Sequence, residues 1–545
     1  MVQNNTTEII LTLDVGTSSI RCLAFSGKGE ILANSSYEYA PTYHTNGQVR
    51  QSPSDWEDGA VHVLSRTAEI LGPERRNIAA VSVTSQRASL IAVDKTGASL
   101  YDAIMWHDKT TSPYCPRIAE RISMEEMYAK TGLRIDSYFT APKILWLRDN
   151  QPDLYSRAET FLGVQDYVVY VLTGRRVTDY SQASRTLLFN IWEQRWDSAI
   201  LEALGIEERM LPEVIQPGGI GGKVTAALSS RTGVPEGVPV VLAGGDQQVA
   251  ALGMGIFDHN TAEVNTGTGS FVITLTDSPV VHPGMKTLCS CSAIPDRWVA
   301  EAGVLTTGIV YNWFARELGF WKPEEAGHID YAEIDRLIQA APPGSNGLIT
   351  LPHFKGAAAP FWNQNARGLF FNVTLAHTRG DFARSIIESI ALEIGSDIRL
   401  LNEIPQIDIE KVIIAGGMTS FDLFNQIQAD VYGVPVLKNP HTEATSFGAF
   451  LSASTGLGHY PTVYQAYEAH AGLQRGSKNI SGRSYHPDSR MTGLYKAIGT
   501  QREALYRALE SNGIYDSIPS LEETLSSADT DTADTNSAAG NTKEK

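Results

Sequence analysis

Cysteine is scarce, with four in 545 residues, which excludes a disulfide framework as the source of stability. Cys289 and Cys291 form a single C-x-C with no second pair, so they read as core thiols, with a metal site the weaker alternative. Positive charge is short as well: 44 Lys and Arg stand against 61 Asp and Glu, a formal net charge of −17. That balance argues against nucleic-acid or anionic-membrane partners. It leaves room for an anionic ligand, because local arginines, backbone N–H groups or Mg2+ override the mean. No run of 18 apolar residues occurs, so no membrane span is expected. The opening MVQNNTTE has no basic stretch ahead of an apolar one, so no signal peptide is expected. These absences together point to a reduced, cytoplasmic location. Two phosphate-binding signatures are also missing, G-x-x-x-x-G-K-[ST] and G-x-G-x-x-G, so neither the P-loop nor the Rossmann reading is available.

What is present is a long chain of ordinary apolar content, 42%, too long for one core. Two halves are expected, 1–255 and 256–515. A tail follows over 516–545, rich in Asp, Thr, Ser and Ala, which reads as disordered and acidic. The first half opens with apolar runs at 8–14 and 20–25 around a Gly-Thr-Ser-Ser turn, read as adjacent strands. A helix is expected after a cap near Ser54 or Asp55, and IAAVSVTSQ is a strand. The pattern strand, small-residue turn, strand returns in NTAEVNTGTGSFVITL. VPVVLAGGDQQVAALGMGI and KVIIAGGMTSFDLFNQIQADVYGVPVLKN each read as strand, Gly-Gly turn and helix. Two α/β halves that each offer such turns suggest a duplicated fold with a cleft between them.

Asp14 ends the first strand, and Thr17 and Ser18 sit on the turn after it. A turn whose N–H groups point one way makes an anion nest, and the hydroxyls add donors. A carboxylate beside phosphate needs a cation between them, so Asp14 suits Mg2+. Arg21 supplies a fork of donors. The same turn also occurs as plain capping, and taken alone the motif leaves both readings open. Gly267, Thr268 and Gly269 form a second low-bulk turn suited to outer phosphates, and Gly416–Gly417 form a third, where adenine or ribose could meet the backbone. Asp14 before the first of these turns and Asp246 after the further Gly244–Gly245 turn give two of the strand-to-turn units an acidic residue.

In order, the segments LDVGTSSIR, YFTAPKILWLRDN, GGDQQVAALG, NTGTGSF, ARGLFFNVTLAHTRGDFARSIIES and AGGMTSFDLFNQIQADVYGVPV resemble the landmarks of the FGGY family of carbohydrate kinases. The likeness spans about residues 8–465 and, within the family, is to the glycerol kinase pattern. It implies an α/β fold of two actin-like (ribonuclease H-like) domains with a nucleotide and substrate cleft between them. It further implies ATP-dependent phosphorylation of a hydroxyl of a small polyol or sugar, with Mg2+. On this likeness Arg87, Trp106, Tyr138, Asp246, Gln247 and Phe271 surround the acceptor. Asp246 takes the proton of the attacking hydroxyl and, with Asp14, is a metal carboxylate. Thr17, Ser18, Arg21, Gly267, Thr268, Gly269, Gly416 and Gly417 meet ATP. A homodimer or homotetramer is also implied.

One position departs from the pattern: Ala88 stands where glycerol kinases carry a glutamate after the arginine. The change removes a carboxylate and makes room, which gives weight to a pentulose, a tetritol or a signalling sugar as acceptor. Gln86-Arg87-Ala88 also differs from the Gln-Met-His usual in xylulose kinases. A catalytically reduced sugar-binding regulator and an actin-like or chaperone ATPase are the competing classes. Lys143 and Trp146, three apart in the first signature, read as packing and ion pairing. His107 is either a pocket residue or an exposed loop histidine.

Overall fold

The structure, a computed structural model, describes residues 7–322, 328–439, 443–474 and 482–521. Residues 516–521, expected to begin the tail, are instead part of a helix over 514–521, and the rest of the tail lies outside the described residues.

Two large twisted sheets carry the molecule. The first contains β1 (Ile9–Val15), β2 (Ser19–Ser26), β3 (Ile31–Glu38), β4 (Ile78–Ser85), β5 (Ile220–Lys223) and β6 (Pro239–Gly245). Their order is β5-β6-β4-β1-β2-β3. β1, β2 and β3 are antiparallel neighbours, while β4 and β6 run parallel to β1. The second contains β7 (Thr261–Thr266), β8 (Ser270–Thr276), β9 (Leu288–Cys291), β10 (Trp298–Val304), β11 (Lys411–Ala415), β12 (Val436–Lys438) and β13 (Ser484–Tyr485). Their order is β9-β10-β8-β7-β11-β12-β13. β7, β8 and β10 are antiparallel, and β11 and β12 then run parallel to β7. Each sheet therefore repeats one plan, three antiparallel strands followed by parallel ones, and the expected duplication is present.

Helices cover both faces, which is why the central strands are apolar on both sides. The ones that shape the cleft are α1 (Pro53–Leu71), α2 (Thr140–Asn150), α3 (Asp246–Met254), α4 (Gly308–Ala315), α5 (Arg379–Leu401), α6 (Ala444–Gly456) and α7 (Val463–Gln474). α1 starts at Pro53 with Ser52 as its flanking residue, earlier than the expected cap, because proline is favoured at the first helical position. Alternate residues of β1 serve different cores. Leu11, Leu13 and Val15 pack with Trp56, Val63 and Leu64 of α1. Ile10, on the other face, joins Leu23, Phe25, Phe447 and Phe450. Thus α6 lies on the first sheet although it belongs to the 256–515 stretch. Its small residues permit this: the Ser82 hydroxyl donates to the Ala449 carbonyl at 2.8 Å.

α3 crosses in the opposite sense. Ala250, Ala251 and Met254 pack against Ile273, Leu275 and Val299 of the second sheet. The two halves meet through these exchanged helices. Cys289 and Cys291 are buried on β9, and all four cysteines are free thiols. No group of metal-ligating side chains is found among the described residues.

Candidate active site

Asp246 is the first residue of α3, directly after β6. Its Oδ1 accepts the Gln247 N–H at 2.7 Å and lies 3.4 Å from Arg87 Nε. Gly245 permits this approach, since a Cβ there would meet Arg87 Cδ at 2.7 Å. Burial raises the Asp246 carboxyl above its ordinary range; Arg87, the Gln247 N–H and Arg185 oppose the rise and Glu301 adds to it. Both of these contacts are made by Oδ1.

Arg87 is buried, not a surface arginine. Its Nη1 donates to Glu301 Oε2 at 2.9 Å and to Gln248 Oε1 at 3.3 Å. Glu301 comes from β10, and its Oε1 accepts from Arg185 Nη2 at 3.1 Å. The three side chains are only 2–3% exposed. Burial works against the charged form of Arg87, but Glu301, then Tyr138 and Asp246, hold its proton more tightly than usual. Burial likewise opposes ionisation of Glu301, but Arg185 and Arg87 override it and hold the carboxyl below its ordinary value. Neither Glu301 nor Arg185 was singled out in the sequence. The available signal was an acid inside an apolar strand, WVAEAGV, since a charge placed there needs a buried partner.

The aromatic residues converge as expected. Phe271 faces Arg87, with the guanidinium 5.9 Å from the ring centre. Trp106 and Tyr138 lie 5.5 Å apart, and Arg185 sits 5.7 Å over Tyr138. Gln247 Oε1 is buried and has no partner among the described residues. His107 lies against Trp106 with ring centres 4.5 Å apart and tilted by 58°, and meets the Tyr43 hydroxyl at 3.3 Å. Burial pushes its ring down to about 4, so it is neutral at ordinary pH. Lys143, on α2, makes no ion pair among the described residues. It donates to the carbonyls of Ser137, Tyr138 and Phe139 at 2.9, 2.5 and 2.8 Å. It therefore holds the turn that presents Tyr138. Trp146 packs as expected, with Arg50 5.2 Å over its ring. Ala88 is 6% exposed and adopts φ +65°. Such a left-handed conformation costs a non-glycine residue about 1–3 kcal/mol and gathers at functional sites.

On the nucleotide side, Asp14 and Arg21 are direct cross-strand partners. Burial pushes the Asp14 carboxyl up to about 7, with Asp246 adding, Arg21 opposing and Glu443 adding a little. Thr17 does not stand free on its turn. Its hydroxyl oxygen accepts from Trp106 Nε1 at 3.2 Å and lies 3.4 Å from Gln86 Oε1, which links the phosphate turn to the aromatic wall. Ser18 follows on the same turn, and its carbonyl accepts the Tyr39 N–H at 3.0 Å. The 267–269 turn touches the start of α4: the N–H groups of Thr307 and Gly308 donate to the carbonyls of Thr268 and Gly267, both at 3.0 Å. Gly416, at φ +96°, brings the third turn against β7, where a Cβ would meet the Thr266 carbonyl at 2.2 Å. Gly417 beside it has nothing within 4 Å of its missing Cβ. Gly416 thus sets the third turn against the strand that leads into the 267–269 turn, and a carboxyl that resists ionisation stands beside Arg21 at the first turn. That donor set suits a phosphate chain with a divalent cation.

Residues 9–253 match the N-terminal domain, and residues 262–457 the C-terminal domain, of the FGGY family of carbohydrate kinases. Glycerol kinase 2 of Thermotoga maritima is 32% identical over 463 residues, covering 83% of this chain and 90% of that protein. The glycerol kinase of Deinococcus radiodurans is 30% identical over 466 residues, covering 84% and 90%. Among solved structures, gluconate kinase from Lactobacillus acidophilus superposes with a TM-score of 0.84 at 24% identity, covering 92% of this chain and 98% of that one. Plasmodium falciparum glycerol kinase with ADP gives 0.80 at 22% identity, covering 92% and 98%. With both halves matched in order and the two-domain architecture shared, the chain belongs to the FGGY family of carbohydrate kinases, enzymes that pass a phosphoryl group from ATP to a hydroxyl of a small polyol or sugar.

Proposed function

We propose that this kinase phosphorylates a small open-chain polyol or ketose, with Asp246 as the general base. The observation that carries the reading is the pair Asp246–Arg87 at 3.4 Å, with Arg87 locked by Glu301 and faced by Phe271. Arg87 and Gln247 orient the acceptor, and Trp106, Tyr138 and Phe271 give its carbon chain an apolar wall. Asp246 Oδ2 takes the hydroxyl proton as the oxygen attacks the terminal phosphorus in line. Thr17, Ser18 and Arg21 hold phosphate oxygens from the first half, and Gly267, Thr268, Gly269, Gly416 and Gly417 hold the nucleotide on the second. Asp14 and Asp246 are the carboxylates that would hold Mg2+, which supplies charge neutralisation on the phosphate oxygens.

Ala88 contributes no carboxylate at the position after Arg87, which supports an acceptor larger than glycerol. Glycerol is the second reading, favoured by the identity of about 30% to glycerol kinases. The deciding experiment offers Mg-ATP with glycerol, erythritol, xylitol, ribitol, ribulose and xylulose, follows ADP release and identifies the product. ADP release that no acceptor in the panel stimulates would refute the reading.

Asp14 makes the nucleotide site pH-dependent. A metal ligand must be ionised to bind, and this carboxyl is held at about 7. Affinity for Mg-nucleotide is therefore expected to rise as pH is raised through that value and to level off above it. Asp14→Asn should bind more weakly and lose the slope. Titrations across the range check both points.

The chain also self-associates in this reading. Phe371, Val373 and Leu375 form an exposed apolar row on and beyond the edge strand of a two-stranded ribbon, a surface suited to a second copy. Sedimentation should show a dimer or tetramer that Val373→Lys with Leu375→Lys reduces to monomer. A cytoplasmic location belongs to the same reading and is supported by the four free thiols.

A further inference from the structure

We propose that Glu443 is an internal counter-anion on Arg21 that biases the nucleotide site against metal-free nucleotide. The inference rests on the nucleotide reading above and deepens it.

β1 places Ile10, Thr12 and Asp14 on one face, and β2 adds Phe25, Leu23 and Arg21 opposite them. Ile10 and Phe25 pack with Phe447 and Phe450 of α6. Toward the end of β1 that face reaches the start of α6, where Glu443 stands. Glu443 occupies the capping position of α6, yet its side chain makes no capping hydrogen bond. Both its oxygens lie instead against Arg21 Nη1, at 3.4 and 3.3 Å. A cleft of about 250 Å3 opens here, lined by Asp14, Gly16, Ser19, Arg21, Glu443 and Thr445.

The pair is built to exchange. Both carboxylate oxygens share one guanidinium nitrogen, whereas a strong pair uses two. Arg21 is 48% exposed and Glu443 29%. Without Glu443, the cleft would offer a bare phosphate an arginine, a nest and the open N-terminus of a thirteen-residue helix, all attractive to anions. With it, two carboxylates, Asp14 and Glu443, face one arginine, and the charge of Asp246 bears on Asp14 as well. A nucleotide that carries a divalent cation brings its own compensation for those carboxylates; a bare one adds to the repulsion. Glu443 thus keeps unproductive nucleotide off Arg21 until the phosphate arrives with its metal.

The test is calorimetric titration of the full-length protein with ADP, in excess Mg2+ and in EDTA, for the wild type and Glu443→Gln. In EDTA the variant should bind ADP roughly three- to tenfold more tightly than the wild type. In Mg2+ the change should be smaller, so the ratio of the two affinities narrows. Arg21→Gln should weaken binding in both conditions. An unchanged ratio, or weaker binding by Glu443→Gln in EDTA, would mean that Glu443 merely steadies Arg21, and would overturn the proposal. Wild-type protein that binds ADP in neither condition would instead overturn the nucleotide reading itself, and this inference with it. Melting curves, expected to be close for a partly exposed pair, confirm that the variants fold.

Discussion

Asp246→Asn lowers kcat for acceptor phosphorylation by about 10²–10⁴-fold, the range of a positioned proton acceptor. The amide keeps the shape of the side chain and can still accept the Gln247 N–H, so α3 should begin as before. What it loses is the capacity to take a proton at Oδ2. It also loses the negative charge beside Arg87 Nε at 3.4 Å. Arg87 keeps Glu301 and Gln248, so the pocket should stay assembled and the KM for acceptor should move far less than kcat. Binding of ADP without metal, assigned in the proposed reading to the turns at 16–18, 267–269 and 416–417, should remain near wild type, while Mg-ADP should bind more weakly because one of the two proposed metal carboxylates is gone. Steady-state kinetics on the best acceptor of the panel, with ADP titration alongside, read these out. Turnover retained within a few-fold would remove Asp246 as the base.

The second large effect is expected at Glu301. Its carboxylate joins Arg87 of the first half to Arg185 at 2.9 and 3.1 Å, with almost no solvent contact. Removing this shared anion leaves the buried Arg185 without its carboxylate and Arg87 with Asp246 at 3.4 Å as its remaining one, a loss of about 3–5 kcal/mol. Glu301→Gln keeps one acceptor oxygen and should lose less than Glu301→Leu, which keeps none. Both should raise the KM for acceptor, because Arg87 then has no fixed direction, and raise the KM for ATP less. Melting temperature and the two KM values separate loss of fold from loss of placement. The pH dependence has a defined sign. Arg185 and Arg87 hold the Glu301 carboxyl below its ordinary value. Its contribution to stability is therefore full above the unfolded value and is lost as pH falls through the lower folded one. Above neutrality the wild type and the variants should thus differ by a constant amount.

Much of the architecture was legible beforehand. Strand, small-residue turn and strand at 9–26 and again at 261–276 are local signals, written in apolar runs and turn residues, and local signals survive into the fold. So do the helix starts after Gly-Gly at 244–245 and 416–417. Trp106, Tyr138 and Phe271 were proposed as an acceptor wall from ordered motifs, and the structure sets Phe271 and Tyr138 near Arg87 and Trp106 against Tyr138. The start of the tail was misplaced: its composition reads as disordered, while 514–521 continues as helix.

Sequence alone therefore determined the duplicated α/β plan, the family pattern and the place of Asp246 at a strand-to-helix turn, because each depends on residues close together along the chain. Only the tertiary structure decided which charges meet. Glu301 finds Arg87 and Arg185 across 214 and 116 residues, and Glu443 finds Arg21 across 422. Lys143, read from its spacing as packing and ion pairing, caps three carbonyls of the turn that carries Tyr138. The reason is physical: a buried charge is stabilised by whatever partner the folded chain brings within about 3–4 Å, and that partner follows from sheet order and crossed helices, which no short stretch of sequence encodes.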